Sequence, residues 1–556
     1  MRVYILLLLI IFNQVTYAQY SRYIVELKDK KGTQHSINNP TTFLSVESIA
    51  RKKRYNISID STDLPVSNAY IDSIKSLPDV GIVYTSRWLN LVIIQTTNST
   101  SLNTIRKFNF VKTQYPIATA RLPVKLPTTD EEIVDGAFTS AKASPKENIL
   151  SYGKSLNQIS IHEGEFLHNL GFQGKGVKVA LFDGGFYKYL NYPAFDSLRK
   201  KNGIKLTWDF VNNETNVNDD DTHGMSCLSI MAANLPGVFV GTSPSASYYL
   251  FRTEDSRSEY PIEEANWLIA AERADSIGID LISSSLGYTT FDDPYFNHQY
   301  SDMNGIGTLS SKAASIAVSK GMIVTNSAGN EGNDPWKYIS APSDGIHVLS
   351  VGAIGSDKRI APFSSYGPSA DGRVKPDIIS VGWNTQLIAG DGNVGIGSGT
   401  SFSNPNIAGL IACLWQAFPE FTNLEIIDAV IKSSDQYASP DNRRGYGIPN
   451  MRLAYLALEN ERNIRNAKRI LTDKRILVYP NPFSSDFKIA YKAPSTGLFS
   501  WNLLNSSGQV LRSSVENVKK DEYYVFKVDQ LDILSKGIYF IHYSDDLGKS
   551  TMQIIK

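Results

Sequence analysis

Cysteine and histidine are both scarce in this chain, and their scarcity limits the sites it can build. Only two cysteines, Cys227 and Cys413, occur in 556 residues, and no pair of histidines lies near them with the usual spacing of zinc ligands. Both are expected to be buried free thiols, although export permits a disulfide between them. The chain has seven histidines, few enough to weigh each one as a catalytic base.

An excess of charge and a long apolar run within the chain are missing as well. Lysine plus arginine and aspartate plus glutamate number 55 each, which gives no electrostatic reason to expect a nucleic-acid partner. After the first residues, no stretch is apolar over the ~20 positions that a membrane span needs. Residues 1–18 place Arg2 before the apolar run Val3 to Phe12 and end at Ala18, which predicts a cleavable signal peptide and export.

A serine that could act as a nucleophile lies in the stretch Gly399 to Pro405, at the start of a predicted helix over 405–416. Pro405 suits the first turn of a helix, where an amide hydrogen has no partner. The free amides of that helix end would face whatever Ser401 attacks. A serine in this place is more often a simple helix cap, so Ser401 needs partners elsewhere. The apolar positions that predict the helix are Ile407, Leu410, Ile411 and Leu414.

The histidine and the carboxylate that a serine nucleophile requires come earlier in the chain. His223 alone has a suitable context, since it opens a helix predicted over 223–233. Asp183 follows a buried strand predicted over 177–182, at the end of the strand where sites of open α/β sheets assemble. The order Asp183, His223, Ser401 differs from that of α/β-hydrolases. Their motif also requires glycine where this chain has Ser403.

Five blocks in this order resemble those of the subtilisin-like serine peptidases, over about residues 150 to 462. They are Val179 to Gly185, His223-Gly224, Ser283 to Gly287, Asn326 to Gly332 and Gly399 to Gly409. The resemblance implies a triad in which Ser401 attacks the peptide carbonyl, His223 takes its proton and Asp183 orients the imidazole.

The same resemblance assigns further roles. It makes Asn330 the amide donor of the oxyanion hole. Gly184 replaces the hydroxyl residue that commonly follows the aspartate, which removes one possible support. The residues expected to bind the substrate strand and to border the pocket for the P1 side chain, which precedes the cleaved bond, are Ser285, Leu286, Gly287, Ser327, Ala328 and Gly329.

Strands and helices alternate through this region, which predicts an α/β fold with a mainly parallel sheet covered on both faces. The resemblance implies that this sheet is doubly wound and subtilisin-like. The strands are predicted at 177–182, 247–252, 280–285, 321–326 and 347–353. The helices are predicted at 223–233, 262–276, 308–319, 405–416 and 424–432. The predicted peptidase domain spans 146–462.

Residues 19–145 are predicted to form an α+β propeptide and a linker, similar to the inhibitory, fold-assisting propeptide of the family. An unrelated accessory domain is the alternative. The linker, Leu122 to Asn148, is rich in proline, threonine, serine, lysine and glutamate, and maturation is expected within 135–150.

A connector over 463–474 leads to seven short predicted strands within 475–556, which indicate a C-terminal β-sandwich. Val478 to Pro482, Gly508 to Val510 and Gly537 to Phe540 resemble the C-terminal sorting domain of type IX secretion cargo in Bacteroidetes. A carbohydrate- or protein-binding sandwich is the alternative.

Two other patterns suggest ligands. Gly390 to Gly395 matches the dinucleotide fingerprint but lacks the strand and helix that this motif needs on either side. The run Asn218 to Asp221 could hold a structural calcium, with a solvated loop the commoner explanation.

The sequence therefore predicts a secreted or surface-bound serine endopeptidase, exported through the periplasm as a zymogen, that needs no cofactor or catalytic metal. Its predicted partners are protein or peptide substrates, its own propeptide and the secretion machinery. The alternative is a catalytically silent adhesion protein on the same fold.

Overall fold

The computed structural model describes residues 20–119, 148–472 and 474–556. The predicted signal peptide and most of the predicted linker, with its maturation bonds, lie outside these residues. The chain divides into two compact units, Met1–Ala454 and Tyr455–Lys556. The domain boundaries proposed near 145, 462 and 474 stay predictions.

The N-terminal region is an antiparallel sheet with helices, which agrees with the α+β fold predicted for the propeptide. In the described residues its strand order is β2-β3-β1-β4. The last strand was not predicted, because Pro116 interrupts its pattern; proline is tolerated there because β4 is an edge strand. The elements are β1 (Tyr20–Leu27), α1 (Val46–Arg54), α2 (Asn68–Lys75), β2 (Gly81–Ser86), β3 (Leu91–Gln95), α3 (Ser99–Ile105) and β4 (Val111–Thr119).

A parallel sheet forms the centre of the peptidase region. Within the described residues it has seven strands in the order β13-β12-β11-β10-β5-β9-β6, and every neighbouring pair is parallel. The predicted doubly wound sheet is confirmed, with two edge strands, β6 and β13, that had not been predicted. The strands of this region are β5 (Lys178–Asp183), β6 (Ile204–Asp209), β7 (Asn234–Leu235), β8 (Phe239–Val240), β9 (Ser247–Arg252), β10 (Leu281–Ser284), β11 (Ile323–Ser327), β12 (Leu349–Ile354), β13 (Ile378–Val381), β14 (Thr385–Ile388) and β15 (Val394–Gly397).

Two pairs of helices cover this sheet. Helices α7 and α10 contact each other and the sheet, and so do α8 and α9. Because a parallel sheet is covered on both faces, its central strands β10 and β11 are buried throughout their length. The helices of the region are α4 (Leu156–Ser160), α5 (Gly164–Asn169), α6 (Asp196–Lys200), α7 (His223–Ala232), α8 (Ile262–Ile277), α9 (Leu309–Ser319), α10 (Thr400–Ala417) and α11 (Asn423–Lys432).

The sheet of the predicted propeptide packs on α8 and α9 through one continuous apolar core. Trp88 and Ile93 of the propeptide belong to the same cluster of buried side chains as Trp267 of α8 and Ala314 of α9. Buried charges accompany this core, since Asp63 of the propeptide lies 2.9 Å from the Lys320 ammonium of the peptidase region. The propeptide is therefore docked by apolar area and by ion pairs together.

The second compact unit consists of antiparallel sheets. Its described strands form a sheet in the order β16-β17-β20 and another in the order β19-β18-β21-β22. Tyr491 of the first sheet stacks on Phe499 of the second, with ring centroids 3.9 Å apart, so the sheets face each other as a sandwich. The predicted sandwich is confirmed. Its strands are β16 (Ile476–Tyr479), β17 (Phe487–Lys492), β18 (Gly497–Leu504), β19 (Val510–Val518), β20 (Tyr523–Val528), β21 (Ile538–Asp545) and β22 (Gly548–Ile555).

The helix before the sandwich is longer than the sequence pattern predicts. The sequence predicts a final helix over Asn450 to Asn463, whereas α12 spans Met451–Ile470 and so continues seven residues further. Residues 464–470 of the connector predicted over 463–474 are therefore helical, and the connector itself stays a prediction. Arg465, for example, pairs with Glu461 one turn earlier at 3.0 Å.

Candidate active site

Asp183 is the last residue of β5, and its side chain is almost completely buried. It is 1% exposed, and its Oδ1 lies 2.6 Å from Nδ1 of His223. Burial raises the pKa of the Asp183 carboxyl, and the neighbouring His223 opposes that rise. The amide of Gly184 donates to the same oxygen at 2.8 Å, so the backbone supplies a hydrogen bond at the residue where the sequence lacks a hydroxyl.

Glycine is required beside His223 because α7 begins very close to Asp183. A methyl group on Gly224 would lie 2.7 Å from Asp183 Cβ and would overlap the carbonyl oxygen of Gly185. The amide of His223 donates to Asp221 Oδ1 at 2.9 Å, which satisfies one of the free amides at this helix end. The His-Gly pair therefore brings the imidazole within hydrogen-bond reach of the buried carboxylate.

Helix α10 begins at Thr400, five residues earlier than predicted, so Ser401 lies inside its first turn. The prediction was wrong because it placed Pro405 in the first turn, whereas this proline lies in the second. Proline has no amide hydrogen, and in a regular helix that hydrogen would bond to the carbonyl of Ser401. Ser285 Oγ donates to this carbonyl at 2.9 Å instead. The Sγ of Cys227 lies 3.4 Å from the same oxygen.

The side chain of Ser401 is held against the end of β10. Its hydroxyl donates to the carbonyl of Ser285 at 3.4 Å, and the residue is 5% exposed. The ring of Phe402 lies 5.8 Å from that of His223, measured between centroids. Cys227 follows His223 by one helical turn and also contacts Ser401. The structure therefore brings Asp183, His223 and Ser401 into one small region, at the carboxyl ends of neighbouring strands.

Asn330 lies beside the start of the same helix. Its Oδ1 accepts hydrogen bonds from the amide of Thr400 at 2.8 Å and from its hydroxyl at 2.9 Å. That hydroxyl in turn accepts from the amide of Gly329 at 3.2 Å. These bonds fix the amide group of Asn330 so that Nδ2 is the end turned away from Thr400.

The six residues predicted to bind substrate follow two adjacent parallel strands. Ser285, Leu286 and Gly287 come directly after β10, and Ser327 ends the neighbouring β11. Asn326 ties the two segments together, since its Nδ2 donates to the carbonyl of Leu286 at 2.9 Å. Ala328 and Gly329 continue from β11 to Asn330, so both segments run past the start of α10.

Three contacts at this site were not predicted from the sequence. Ser285 had been assigned to substrate binding, whereas its side chain holds the Ser401 carbonyl. Thr400 and Cys227 had no predicted contact with the site, and both touch it. The sequence does contain a signal for the Ser285 contact. Pro405, four residues after Ser401, leaves the Ser401 carbonyl without the amide donor that a regular helix would supply.

Both cysteines are buried, and no disulfide joins them, which confirms the favoured prediction. Burial raises the pKa of the Cys413 thiol strongly, and its Sγ lies 3.2 Å from the carbonyl of Thr242.

The two other stretches suggested as ligand sites make contacts within the protein. Gly390 to Gly395 makes the turn between β14 and β15, which is not the strand-to-helix setting that a dinucleotide needs. In the acidic run, Asp220 lies 3.4 Å from the guanidinium of Arg252. That guanidinium also lies 2.8 Å from the carboxylate of Asp209. Calcium at this loop stays a prediction.

Known proteins share sequence with this chain across the region that holds the site. Residues 174–447 match the Subtilase family. Subtilisin NAT of Bacillus subtilis subsp. natto is 30% identical over 293 residues, which are 52% of this chain and 68% of that protein. The chain belongs to the subtilase family. Serine protease AprX of Bacillus subtilis is 30% identical to this subtilase over 307 residues, 50% of this chain and 65% of AprX. A thermostable alkaline protease of Halalkalibacterium halodurans is 27% identical over 285 residues, 51% of this chain and 68% of the protease.

Two more families match the flanking regions of the subtilase. Residues 22–132 match a peptidase S8 propeptide domain of Bacteroidota, and residues 477–556 match a secretion system C-terminal sorting domain. The predicted propeptide and sorting domain are thus confirmed. The chain is a serine-type endopeptidase made as a zymogen, and its sorting domain directs it to the cell surface or beyond. Over the described parts of the chain, no helix combines the length and apolarity needed to cross a membrane.

Proposed function

We propose that this subtilase cleaves peptide bonds through a triad of Asp183, His223 and Ser401 and an acyl-enzyme. The bond of 2.6 Å between Asp183 and His223 carries this proposal, because it fixes the imidazole with Nδ1 towards the carboxylate. Nε2 is then the nitrogen that takes the Ser401 proton, and it later gives that proton to the leaving amine. The carboxylate stabilises the imidazolium that forms between the two steps.

The oxyanion of the tetrahedral intermediate is proposed to lie between two donors. One is the backbone amide of Ser401, which is in the first turn of α10 and has no partner within the helix. The other is Nδ2 of Asn330, whose orientation is set by the two hydrogen bonds from Thr400 to Oδ1. Both donors are fixed before the substrate binds, which is what makes such stabilisation effective.

The propeptide is proposed to inhibit the peptidase until it is removed. Its sheet covers α8, and the charged side chains at that contact are almost completely buried. Arg51 is 4% exposed and Asp275 is 0% exposed. A contact with so little water is not expected to open spontaneously. Calcium, if the loop of Asn218 to Asp221 binds it, has no role in this chemistry.

A labelling experiment tests the triad. Purified, matured protein is expected to react with a fluorophosphonate probe at Ser401, and Ser401→Ala should abolish both labelling and peptidase turnover. Ser403→Ala is the matched control, because it makes the same substitution two residues on, where the hydroxyl donates to the Thr400 carbonyl at 2.8 Å. This control should label and turn over normally.

Absence of labelling in the folded wild-type protein would contradict the proposal. It would instead support the alternative of a catalytically silent surface protein. Turnover by Ser401→Ala at a few per cent of the wild-type rate would also contradict the nucleophile assignment.

Export through the sorting domain is proposed to be independent of the chemistry. Deletion of residues 475–556 is expected to leave kcat unchanged while the protein accumulates in the periplasm, measured by cell fractionation with a peptidase assay. Undisturbed export of the truncated chain would contradict this role.

A further inference from the structure

The buried guanidinium of Arg252 lies between the two segments that carry Asp183 and His223. Arg252 is the last residue of β9, and the parallel pairing of β9 with β5 places it opposite Asp183. Its side chain is 2% exposed. The strand register therefore brings this cation to the carboxyl edge of the sheet, where Asp183 also lies, although the proposed triad does not include it.

One side of the guanidinium holds the backbone next to Asp183. The Nε of Arg252 donates to the carbonyl of Gly184 at 3.0 Å. The amide of the same glycine donates to Asp183 Oδ1 at 2.8 Å. Because Gly184 is held at its carbonyl and bonds to the carboxylate through its amide, the position of that carboxylate depends on Arg252.

The other side of the guanidinium faces the loop that leads into α7. Its Nη2 lies 3.4 Å from a carboxylate oxygen of Asp220. The next residue, Asp221, accepts a hydrogen bond from the amide of His223 at 2.9 Å. The same cation thus contacts the segment that precedes His223 and the segment that follows Asp183.

These two segments are also packed tightly against each other. A methyl group on Gly185 would lie 2.7 Å from Asp220 Cβ and would overlap the amide nitrogen of Asp221. The amide of Tyr187 donates to the carbonyl of Asp221 at 3.0 Å. A shift of one segment therefore displaces the other, so a change at the guanidinium would reach both.

Arg252 is itself fixed by a carboxylate of the edge strand β6. Asp209 is 0% exposed, and its Oδ2 lies 2.8 Å from Nη1 of Arg252. Its Oδ1 accepts hydrogen bonds from the amides of Val211 and Asn212 at 2.7 and 3.0 Å. Asp255 adds a third carboxylate, 3.8 Å from Nη2. The guanidinium is therefore held at a fixed place from which it can position other groups.

Stability alone does not explain a buried cation at this place. Replacing a buried ion cluster by apolar side chains of similar volume is often neutral or stabilising. A guanidinium, however, is a planar fork that bonds to several fixed acceptors at once. That property is needed where backbone and side-chain groups of different segments must keep one geometry, as they must beside Asp183 and His223.

We propose that Arg252 is a positioning residue of this subtilase, which fixes Asp183 and His223 relative to each other by holding the Gly184 carbonyl and the Asp220 carboxylate with one guanidinium. The inference rests on the proposed function, since the pair that it positions belongs to the proposed triad. A lysine has a single ammonium in place of the fork, so it cannot reproduce all of these bonds. Misplacement of a reacting group by about 1 Å can lower the rate ~10²-fold.

The test measures peptide cleavage by Arg252→Lys in the matured full-length enzyme. Fluorophosphonate labelling to completion counts the active sites, so that kcat is expressed per labelled site. This kcat should fall by roughly 10–100-fold. KM should change less than about threefold, because the interaction acts on the reacting groups and not on bound substrate.

The pH profile is the second measurement on Arg252→Lys. A carboxylate close to an imidazolium favours the protonated form of the ring, so a weakened contact between Asp183 and His223 favours the neutral ring. The acid limb of kcat/KM should therefore move to lower pH by at least about 0.5 unit. A merely structural role would reduce the labelled fraction and leave both kcat per labelled site and the acid limb unchanged.

Arg373→Lys is the matched control, because this guanidinium also holds backbone carbonyls and a carboxylate. It donates to the carbonyls of Gly345 and Asp344 at 3.0 and 2.6 Å and to Asp371 Oδ2 at 2.8 Å. These carbonyls precede β12, at the edge of the parallel sheet opposite to the triad. Both kcat per labelled site and the acid limb should keep their wild-type values in this variant.

Asp220→Asn tests the same inference if Arg252→Lys does not fold. The Asp220 side chain is 29% exposed, and its substitution leaves the pair of Arg252 and Asp209 in place. It should lower kcat per labelled site by about 3–10-fold, since it weakens one charged contact to the loop before His223.

Two results would overturn the inference: an unchanged kcat per labelled site in folded Arg252→Lys, or an acid limb that stays at its wild-type pH. If that variant does not fold, an unchanged kcat per labelled site in Asp220→Asn has the same meaning. Labelling of the wild type separates the two proposals. An unlabelled wild type contradicts the triad, whereas a labelled wild type with an unaffected Arg252→Lys variant contradicts only the positioning role.

Discussion

Substitution of Asp275 in α8 is the most direct test of how the propeptide binds to the peptidase. Its carboxylate is completely buried and is paired with three cations of the propeptide. Arg51 lies 2.5 Å away, Arg87 2.9 Å and Lys52 3.2 Å, measured from the nearest nitrogen to a carboxylate oxygen. All three cations are themselves at most 9% exposed. The ion pairs of this carboxylate therefore depend on the bound propeptide.

Asp275→Asn removes the charge and keeps the size of the side chain. Removing one partner of a buried ion pair costs about 3–5 kcal/mol, because the other partner is left uncompensated. In this variant three cations lose the carboxylate that they share. Glu272 of α8 still accepts hydrogen bonds from Ser86 and from the amide of Arg87, so part of the contact remains. A loss of about 3 kcal/mol corresponds to ~100-fold weaker binding of the propeptide.

The assay titrates matured enzyme with separately prepared propeptide and reads the inhibition constant from peptide cleavage. Asp275→Asn in the enzyme should raise that constant ~100-fold, while kcat and KM without propeptide stay near wild type. Asp428→Asn is the matched control, because Asp428 pairs with Lys432 at 2.7 Å in an exposed position and such pairs contribute little. An increase below about fivefold for Asp275→Asn would refute the reasoning, since a buried pair should exceed that effect.

The active site supports three further predictions. Ser285→Ala should lower kcat roughly 3–10-fold with little change in KM, because it removes one hydrogen bond that positions Ser401; unchanged kcat would refute this. Asn330→Leu should lower kcat by about 10²–10³, the range known for removal of such a donor from a subtilisin; a change in KM alone would make Asn330 a substrate-positioning residue. kcat/KM should fall as the pH is lowered from about 8 to about 5, because His223 must be neutral to accept the proton. Burial raises the pKa of the Asp183 carboxyl, so protonation of this carboxyl at low pH adds to the loss. A flat pH profile would exclude His223 as the base.

The local parts of the site were predictable from the sequence because each depends on neighbours in the chain. Asp183 follows a run of apolar residues that could only be a buried strand, and Gly224 follows a histidine that opens a helix. The alternation of strands and helices indicated a parallel sheet, and the carboxyl ends of such strands meet at one edge. The edge strands β4 and β6 were missed because polar residues, and Pro116 in β4, interrupt their apolar pattern. The edge strand β13 was missed because it is only four residues long.

Contacts between distant segments were decided only by the tertiary structure. The hydrogen bond from the Ser285 hydroxyl to the Ser401 carbonyl joins two segments that no local periodicity connects. Arg51 and Lys52 lie in a basic stretch of α1 that the sequence alone would place in solvent, and both are buried because Asp275 meets them from α8. Periodicity shows which face of an element is apolar, whereas the partner of a buried polar group depends on how the elements pack.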